Sequence, residues 1–248
     1  IAPTFRPYAA AISLIILLID TAFLDRWYKK LLQKGAKFGE AFDCLVLGLE
    51  WNDFVAGEKP EPEDLSSAAR KWGTTRTDDG LKDWYPSAAA QMPVDLGRIV
   101  CQRANLRYDS QLRRSYGRII CGTAFFVVMV IFFVGLSQRL TLPDWVLALT
   151  PAAPLISWTA REYFRQLDAA NKLDELIKHA GKLWNKASDG AGDAVSFYQE
   201  ARELQNAIYL RRATSPLVLP LVYKMKRPSL EDEMKEAATD FLDEYKSK

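Results

Sequence analysis

The segment Ile119–Gln138, with the sequence IICGTAFFVVMVIFFVGLSQ, contains no charged side chain. An α-helix rises about 1.5 Å per residue, so a helix of this length spans about 30 Å, the thickness of the hydrocarbon core of a bilayer. The alternative is a helix buried inside a soluble protein. The length and the apolar character on every side favour a transmembrane span.

Two further windows have the same apolar character. Trp145–Ala160 carries no charged residue and lies a short turn beyond the first window. Its two prolines are compatible with a span, because membrane helices tolerate kinks. The pair predicts a transmembrane hairpin over residues 119–160. Tyr8–Leu24 has one charge, Asp20, and predicts another span within residues 1–24, which is the first of the three along the chain. A signal peptide is the alternative there, but no small-residue cleavage site follows.

Lysine and arginine gather on one side of these predicted spans. They follow the first span, precede the second and follow the third, whereas the hairpin turn has only Arg139. Such residues concentrate in cytoplasmic segments. We therefore predict that residues 25–118 and 161–248 are cytoplasmic and together build one helical domain. Three spans would leave the first residue outside. Because the sequence begins without a methionine, we expect an additional span upstream of Ile1, which would give two hairpins.

The overall composition excludes several kinds of function. The 248 residues include 33 basic and 31 acidic side chains, which leaves no excess of positive charge for binding long nucleic acids. Three scattered cysteines and the single His179 do not form a zinc motif, and no metal or other cofactor is expected. Phosphate-binding glycine loops and nucleophile motifs are absent from the sequence. We predict no catalytic residues and no enzymatic activity.

Helical periodicity continues outside the spans. Apolar residues recur every three or four positions over 23–42, 163–184 and 197–208, and a helix that begins at Pro93 is expected to continue into the second span. Glycines at 189–193 predict a turn, and Ser229 with Asp232 predicts the start of a last helix. No run alternates as a strand would. The predicted fold class is an all-α integral membrane protein.

One helical face could bind a phosphodiester. Arg98, Gln102 and Asn105 share it by their spacing of four and three residues, and Trp84 or Tyr85 could stack on a base. The alternative is a polar packing seam between helices. Within the predicted membrane region, Asp20 could be functional or could pair near the interface with a basic residue. Thr123 and Thr159 could line a pore or allow close helix packing.

Several motifs, in a fixed order along nearly the whole chain, resemble the SMODS-associating four-transmembrane effector family. They are Phe42-Asp43-Cys44, Leu47-Gly48-Leu49, Trp51-Asn52, Leu81-Lys82-Asp83-Trp84-Tyr85-Pro86, Arg98-Ile99, Cys101-Gln102-Arg103 with Asn105, Leu112-Arg113-Arg114 with Tyr116, Arg161-Glu162-Tyr163, and Ser215-Pro216 with Tyr223.

The resemblance implies a bacterial inner-membrane effector of antiphage defence of the CBASS type. Such an effector is linked to a nucleotidyltransferase that makes a cyclic oligonucleotide, and it disrupts the membrane by forming a pore when that signal arrives. A pore from so few spans implies a homo-oligomer in the lipid bilayer. The residues expected to bind the ligand or to gate are Lys82, Trp84, Tyr85, Arg98, Gln102, Arg103, Asn105 and Arg113. The alternative is a membrane-anchored signalling or scaffold protein that binds a partner without forming a pore.

Overall fold

A computed structural model describes residues 25–73, 83–138, 141, 143–145 and 153–248. Its regular elements are helices, and the described residues contain no strand, which confirms the all-α fold class. They are α1 (Asp25–Leu47), α2 (Asp53–Ala56), α3 (Pro62–Gly73), a 3-10 helix (Ser87–Gln91), α4 (Val94–Ser137), α5 (Ala153–Ser188), α6 (Ala194–Thr214) and α7 (Pro220–Ser247).

The longest helix, α4, passes through two environments. It begins after Pro93 and continues without a break for 44 residues, or about 66 Å. Its first half is mostly buried in the protein, whereas Phe125, Phe126 and Phe133 in its second half are 60–68% exposed. Among the described residues it is the one helix long and apolar enough to cross a membrane. The prediction of a helix that starts at Pro93 and runs into the apolar window is confirmed.

After α4 the chain turns back, and α5 packs antiparallel to α4 in a constant register. Arg103 meets Ile177, Ser110 meets Ala170, and an added Cβ at Gly117 would meet the ring of Tyr163. Each step of seven residues along α4 is therefore matched by seven residues back along α5. The same register holds near the far end, where the indole of Trp145 lies against Gly135. The predicted turn at 137–144 and the predicted span at 145–160 are only partly covered by the described residues, and the membrane location of 119–160 stays a prediction.

Contacts divide the chain into two compact units. The first contains the described residues up to Gly73 together with Ile208–Thr214, the last seven residues of α6. Tyr209 packs in its core with Ala36 and Ala56, and Arg212 forms an ion pair of 2.6 Å with the buried Asp43. These contacts tie the end of α6 to α1 and α2.

The second unit contains the remaining described residues, including α4, α5, α7 and the start of α6. A buried cluster of Tyr108, Leu112, Tyr116, Ile120, Val222 and Leu230 joins α4 to α7. The predicted turn after α5 is confirmed, because α5 ends at Ser188 and Gly190 has a φ of 69°.

The predicted start of the last helix near Ser229 is wrong, because α7 begins at Pro220. Proline suits the first turn of a helix, whose N–H groups have no partner within the helix. Pro228 then lies inside α7. Both Pro228 and Lys224, whose carbonyl loses its helical partner there, are exposed. Water can therefore hydrate that carbonyl, which lowers the cost of placing a proline inside the helix.

Candidate functional site

Polar side chains form a buried row along the first half of α4. Its members, all with less than a tenth of their surface exposed, are Arg98, Gln102, Asn105, Ser110 and Arg113. A polar group is costly to bury unless it finds a hydrogen-bond partner. Each of these side chains contacts a partner on another element or in its own helix, so the row connects α4 with much of the second unit.

Gln102 is the most buried member and joins α4 to α6. Its Nε2 donates to the carbonyl of Ala201 at 2.8 Å and to Oε1 of Gln205 at 3.1 Å. Both glutamine side chains have no exposed surface. The Oε1 of Gln102 has no hydrogen-bond partner within the described part of the chain. A ligand therefore cannot touch Gln102 unless α4 and α6 separate.

Asn105 brings the tryptophan–tyrosine motif onto α4. It accepts a hydrogen bond from Nε1 of Trp84 at 3.2 Å and donates one to the hydroxyl of Tyr85 at 2.5 Å. The indole of Trp84 also meets Tyr108 edge to face, with ring centroids 5.4 Å apart. Both aromatic residues are thus engaged in packing and keep only part of their surface open to solvent.

Arg113 holds the segment that links α6 to α7. Its Nη1 donates to the carbonyl of Pro216 at 2.6 Å and to Oε1 of Gln166 at 3.0 Å, while Nε bonds Asp109. Gln166 in turn donates to the carbonyl of Leu217 at 3.0 Å and to Glu162 at 2.7 Å. We call this group the linker clamp. It joins α4, α5 and the linker before α7 about one and a half helical turns before the apolar half of α4.

An ion pair connects α4 to α5 close to the linker clamp. Arg114 pairs with Asp174 at 2.5 Å, and the Ser110 hydroxyl donates to the same carboxylate at 2.6 Å. Burial alone would raise the pKa of Asp174. The hydrogen bonds from Ser110 and Arg114 outweigh it, so the pKa lies below its ordinary value.

A cleft of about 430 Å³ lies between α4 and α7. Arg103 and Arg107 contribute to one wall, and Glu233, Glu236 and Asp240 contribute to the other. The guanidinium of Arg103 lies 5.1 Å from the ring centroid of Phe241. Burial, and then the nearby charge of Arg107, lower the pKa of Arg103. The basic wall could bind an anionic group, and the acidic wall would oppose it.

The structure disperses the predicted residues instead of gathering them into one pocket. Trp84 and Tyr85 meet Asn105, whereas Arg98 bonds Asp95 at 2.9 Å and lies over Tyr198. Fifteen residues, or about 22 Å, separate Arg98 from Arg113 on α4. Lys82 lies outside the described residues.

The residues predicted to lie in the membrane also differ in their environments. Thr123 is exposed and donates to the carbonyl of Ile119 in its own helix, whereas Thr159 is buried. Asp20 lies outside the described residues. Within those residues, no group of side chains could hold a metal ion.

The partners of the predicted residues were not identified from the sequence. Gln166 and Gln205 are buried within apolar helical stripes, and Asp174 forms an ion pair with Arg114. The signal that could have found the two glutamines is their position. Gln166 lies three residues after Tyr163 and four before Ala170, and Gln205 lies four after Ala201, so each interrupts a buried face.

Comparison with known proteins places these features in a family. The profile of the SMODS-associating 4TM effector domain matches residues 1–241. A protein of Bacillus cereus (strain VD146), described as a probable CBASS effector molecule, is 21% identical over 203 residues, which cover 82% of this chain and 66% of that relative. No solved structure matches the chain. Because the profile extends over nearly all of its residues, the chain belongs to the family of SMODS-associating 4TM effector domains.

Proposed function

We propose that this protein is a bacterial inner-membrane effector of antiphage defence that opens a membrane pore when its cytoplasmic helices bind a cyclic oligonucleotide. Its family supports the antiphage effector role, and the CBASS description of the Bacillus cereus relative supports a link to a nucleotidyltransferase that makes the signal. The observation that carries the proposal is the continuity of α4. One uninterrupted helix holds both the buried polar row and the apolar segment.

Because α4 is continuous and keeps a constant register with α5, the two helices can couple the buried polar row mechanically to the apolar half of α4. A change in packing at Gln102 or Asn105 cannot be absorbed by a loop between these residues and the apolar half, since α4 has none. The α4–α5 pair would therefore shift as a rigid body, which is a common form of switching. A ligand drives such a shift only by binding one arrangement better than the other.

The cleft between α4 and α7 is the proposed position of the ligand phosphates. Arg103 and Arg107 supply the charge, and Phe241 supplies an aromatic surface beside them. A polyanion entering here would meet the carboxylates of α7, so its binding favours an arrangement in which α7 moves away from α4. In this proposal Arg103 contacts the ligand. The buried members of the row and the Trp84–Tyr85 motif act as gating residues by holding the resting arrangement.

The exposed aromatic face of α4 supports assembly in the bilayer. Phe125, Phe126 and Phe133 would contact lipid or neighbouring copies, and several copies are needed to surround a water-filled path. We infer a homo-oligomer for this reason. The family is not a known class of enzyme, and the proposed mechanism requires no catalytic step.

Dye release from liposomes tests the proposal. The full chain is reconstituted with a trapped fluorophore and exposed to a panel of cyclic di- and trinucleotides. Release by one nucleotide, lost in Arg103→Ala and kept in Arg70→Ala, is the expected result; Arg70 is an exposed arginine on α3 outside the lining of the cleft. No release across the panel, with insertion verified, would contradict the pore. Release unaffected by Arg103→Ala would contradict the site.

A second candidate function is a membrane-anchored scaffold that binds a protein. The first unit exposes Phe54 almost completely and Leu45 to 83%, beside a groove of about 770 Å³ lined in part by Trp51 and Leu65. Exposed apolar groups of this size favour contact with another protein. Under this alternative the liposomes stay sealed, and Leu45→Ser with Phe54→Ser abolishes signalling in cells while leaving the protein in the membrane.

A further inference from the structure

We propose that the segment from Leu217 to Met225, at the start of α7, docks on the cytoplasmic surface of the bilayer. We call it the interfacial segment. This inference rests on the proposed membrane insertion of α4 and adds a second, peripheral contact with lipid headgroups. Its occupant is the interface of the same bilayer that the apolar half of α4 would cross.

The exposed side chains of the interfacial segment are unusually apolar. Leu217, Leu219, Leu221 and Met225 have 51–69% of their surface exposed. Val218 and Val222, which lie between them, point the other way, because they pack with the buried cluster of α4. The segment therefore has one side fixed to the protein and another side made of large apolar groups in contact with solvent. Such a surface is typical of helices that lie in a membrane interface.

The packing of the segment sets its depth relative to α4. The linker clamp bonds the carbonyls of Pro216 and Leu217 at the level of Arg113. Val222 shares a buried cluster with Ile120, the second residue of the apolar window. Arg113 and Ile120 are seven residues apart, or about 10 Å along the helix, which is close to the depth of a headgroup layer. The segment therefore spans the level at which α4 would enter lipid.

The charges around the segment suit anionic headgroups. Residues 215–230 contain Lys224, Lys226 and Arg227 and no acidic side chain. Arg118 on α4 and Arg161 on α5 lie at the edge of the apolar windows, at the same level in the antiparallel register. Glu231 is the first acid beyond the segment and pairs with Arg227. Each basic residue close to an anionic surface strengthens its attraction to the membrane.

Site-directed fluorescence measures this depth. In a Cys121→Ala background, single cysteines replace Leu221, Met225, Thr239 and Phe126 in the full chain, and each carries a nitrobenzoxadiazole label. The remaining native cysteines, Cys44 and Cys101, are buried. The proteins are reconstituted in an equal mixture of phosphatidylcholine and phosphatidylglycerol that contains spin-labelled lipids with shallow or deep quenchers. Thr239 is the matched control, because it is exposed on the same helix nearer its other end.

The expected result is a gradient along α7. Shallow quenchers reduce the emission at Leu221→Cys to about half or less, reduce it less at Met225→Cys and leave Thr239→Cys unchanged, since the apolar face of an interfacial segment lies about 5–10 Å deep. Blue-shifted emission at Leu221→Cys without lipid quenching would overturn the proposal, because a protein would then cover the segment. Water-like emission there would also overturn it. Phe126→Cys separates the two proposals: deep quenching verifies insertion of α4, and its absence contradicts the membrane span itself.

Discussion

Replacing Arg113 by methionine would remove the linker clamp while keeping much of the side-chain volume. Arg113 is only 7% exposed, and it donates to Gln166, Pro216 and Asp109. Methionine would leave the buried Oε1 of Gln166, the partly buried carbonyl of Pro216 and the partly buried carboxylate of Asp109 without their charged donor. Removing one partner of a buried charged pair lowers the free energy of unfolding by about 3–5 kcal/mol. Comparable values follow from two or three charge-assisted hydrogen bonds at about 1.5–3 kcal/mol each, less than additive because they share one side chain.

Thermal unfolding of the detergent-solubilised full chain measures this loss. For a chain of this length, about 1 kcal/mol shifts the midpoint by about 2–4 °C, so Arg113→Met is expected to lower it by about 6–20 °C. Arg165→Ala is the matched control. Its side chain is 64% exposed and its pair with Glu162 is long, at 3.5 Å, so about 0–1 kcal/mol is expected.

Hydrogen exchange locates the effect within the protein. Without the clamp, peptides that cover residues 215–222 should exchange faster, because the linker loses the side chains that hold its carbonyls against α4 and α5. A midpoint lowered by less than about 3 °C, with unchanged exchange in the linker, would refute the reasoning. Arg113 would then be a packed side chain whose bonds contribute little to stability.

Three other expectations concern single sites. Gly97→Ala should destabilise the protein by about 1–3 kcal/mol in thermal unfolding, because its Cβ would lie 2.5 Å from the carbonyl oxygen of Ala89. Gly35→Ala is the control: its Cβ would enter open space, so the change should be neutral or stabilising. The pKa of Asp174 is depressed in the folded protein, so its pair with Arg114 stabilises the fold above the ordinary carboxylate pKa of about 3.9. This stabilisation is lost as the pH falls towards the pKa of the folded state. Asp174→Asn should therefore be less stable than the parent at neutral pH, and the difference in stability should shrink in acid. A constant difference would contradict that assignment. Glu233→Gln removes a negative charge from the cleft and should tighten binding of the nucleotide to the detergent-solubilised full chain; weaker binding would argue against an anion in the cleft.

The sequence predicts the helices well where local signals agree. Pro93 marks the start of α4, and no later residue interrupts it before the end of the apolar window, so its continuity is predictable. The glycines after Ser188 predict the end of α5 in the same way. The predicted start of the last helix is wrong because Ser229 resembles a cap, whereas packing of Val222 on α4 extends the helix back to Pro220.

The candidate site was predictable in its residues but not in their partners. The shared face of Arg98, Gln102 and Asn105 follows from helical spacing. Its partners do not, because a backbone carbonyl such as that of Ala201 has no signature in the sequence. Polar residues with this spacing are compatible with a ligand-binding face or a packing seam, and only tertiary contacts distinguish the two. In the described structure Gln102 and Asn105 have packing partners, while Arg103 borders a cleft.

The constant register of α4 and α5 also restricts how genes of this family can change in length. One residue inserted between Ser110 and Gly117 would rotate everything beyond it by about 100° and turn Gly117 away from Tyr163. The same insertion in α5 alone would displace Ala170 from Ser110. Insertions and deletions should therefore survive only in compensated pairs, at matching positions of the two helices and in lengths such as seven or eleven residues, each within about 20° of a whole number of turns.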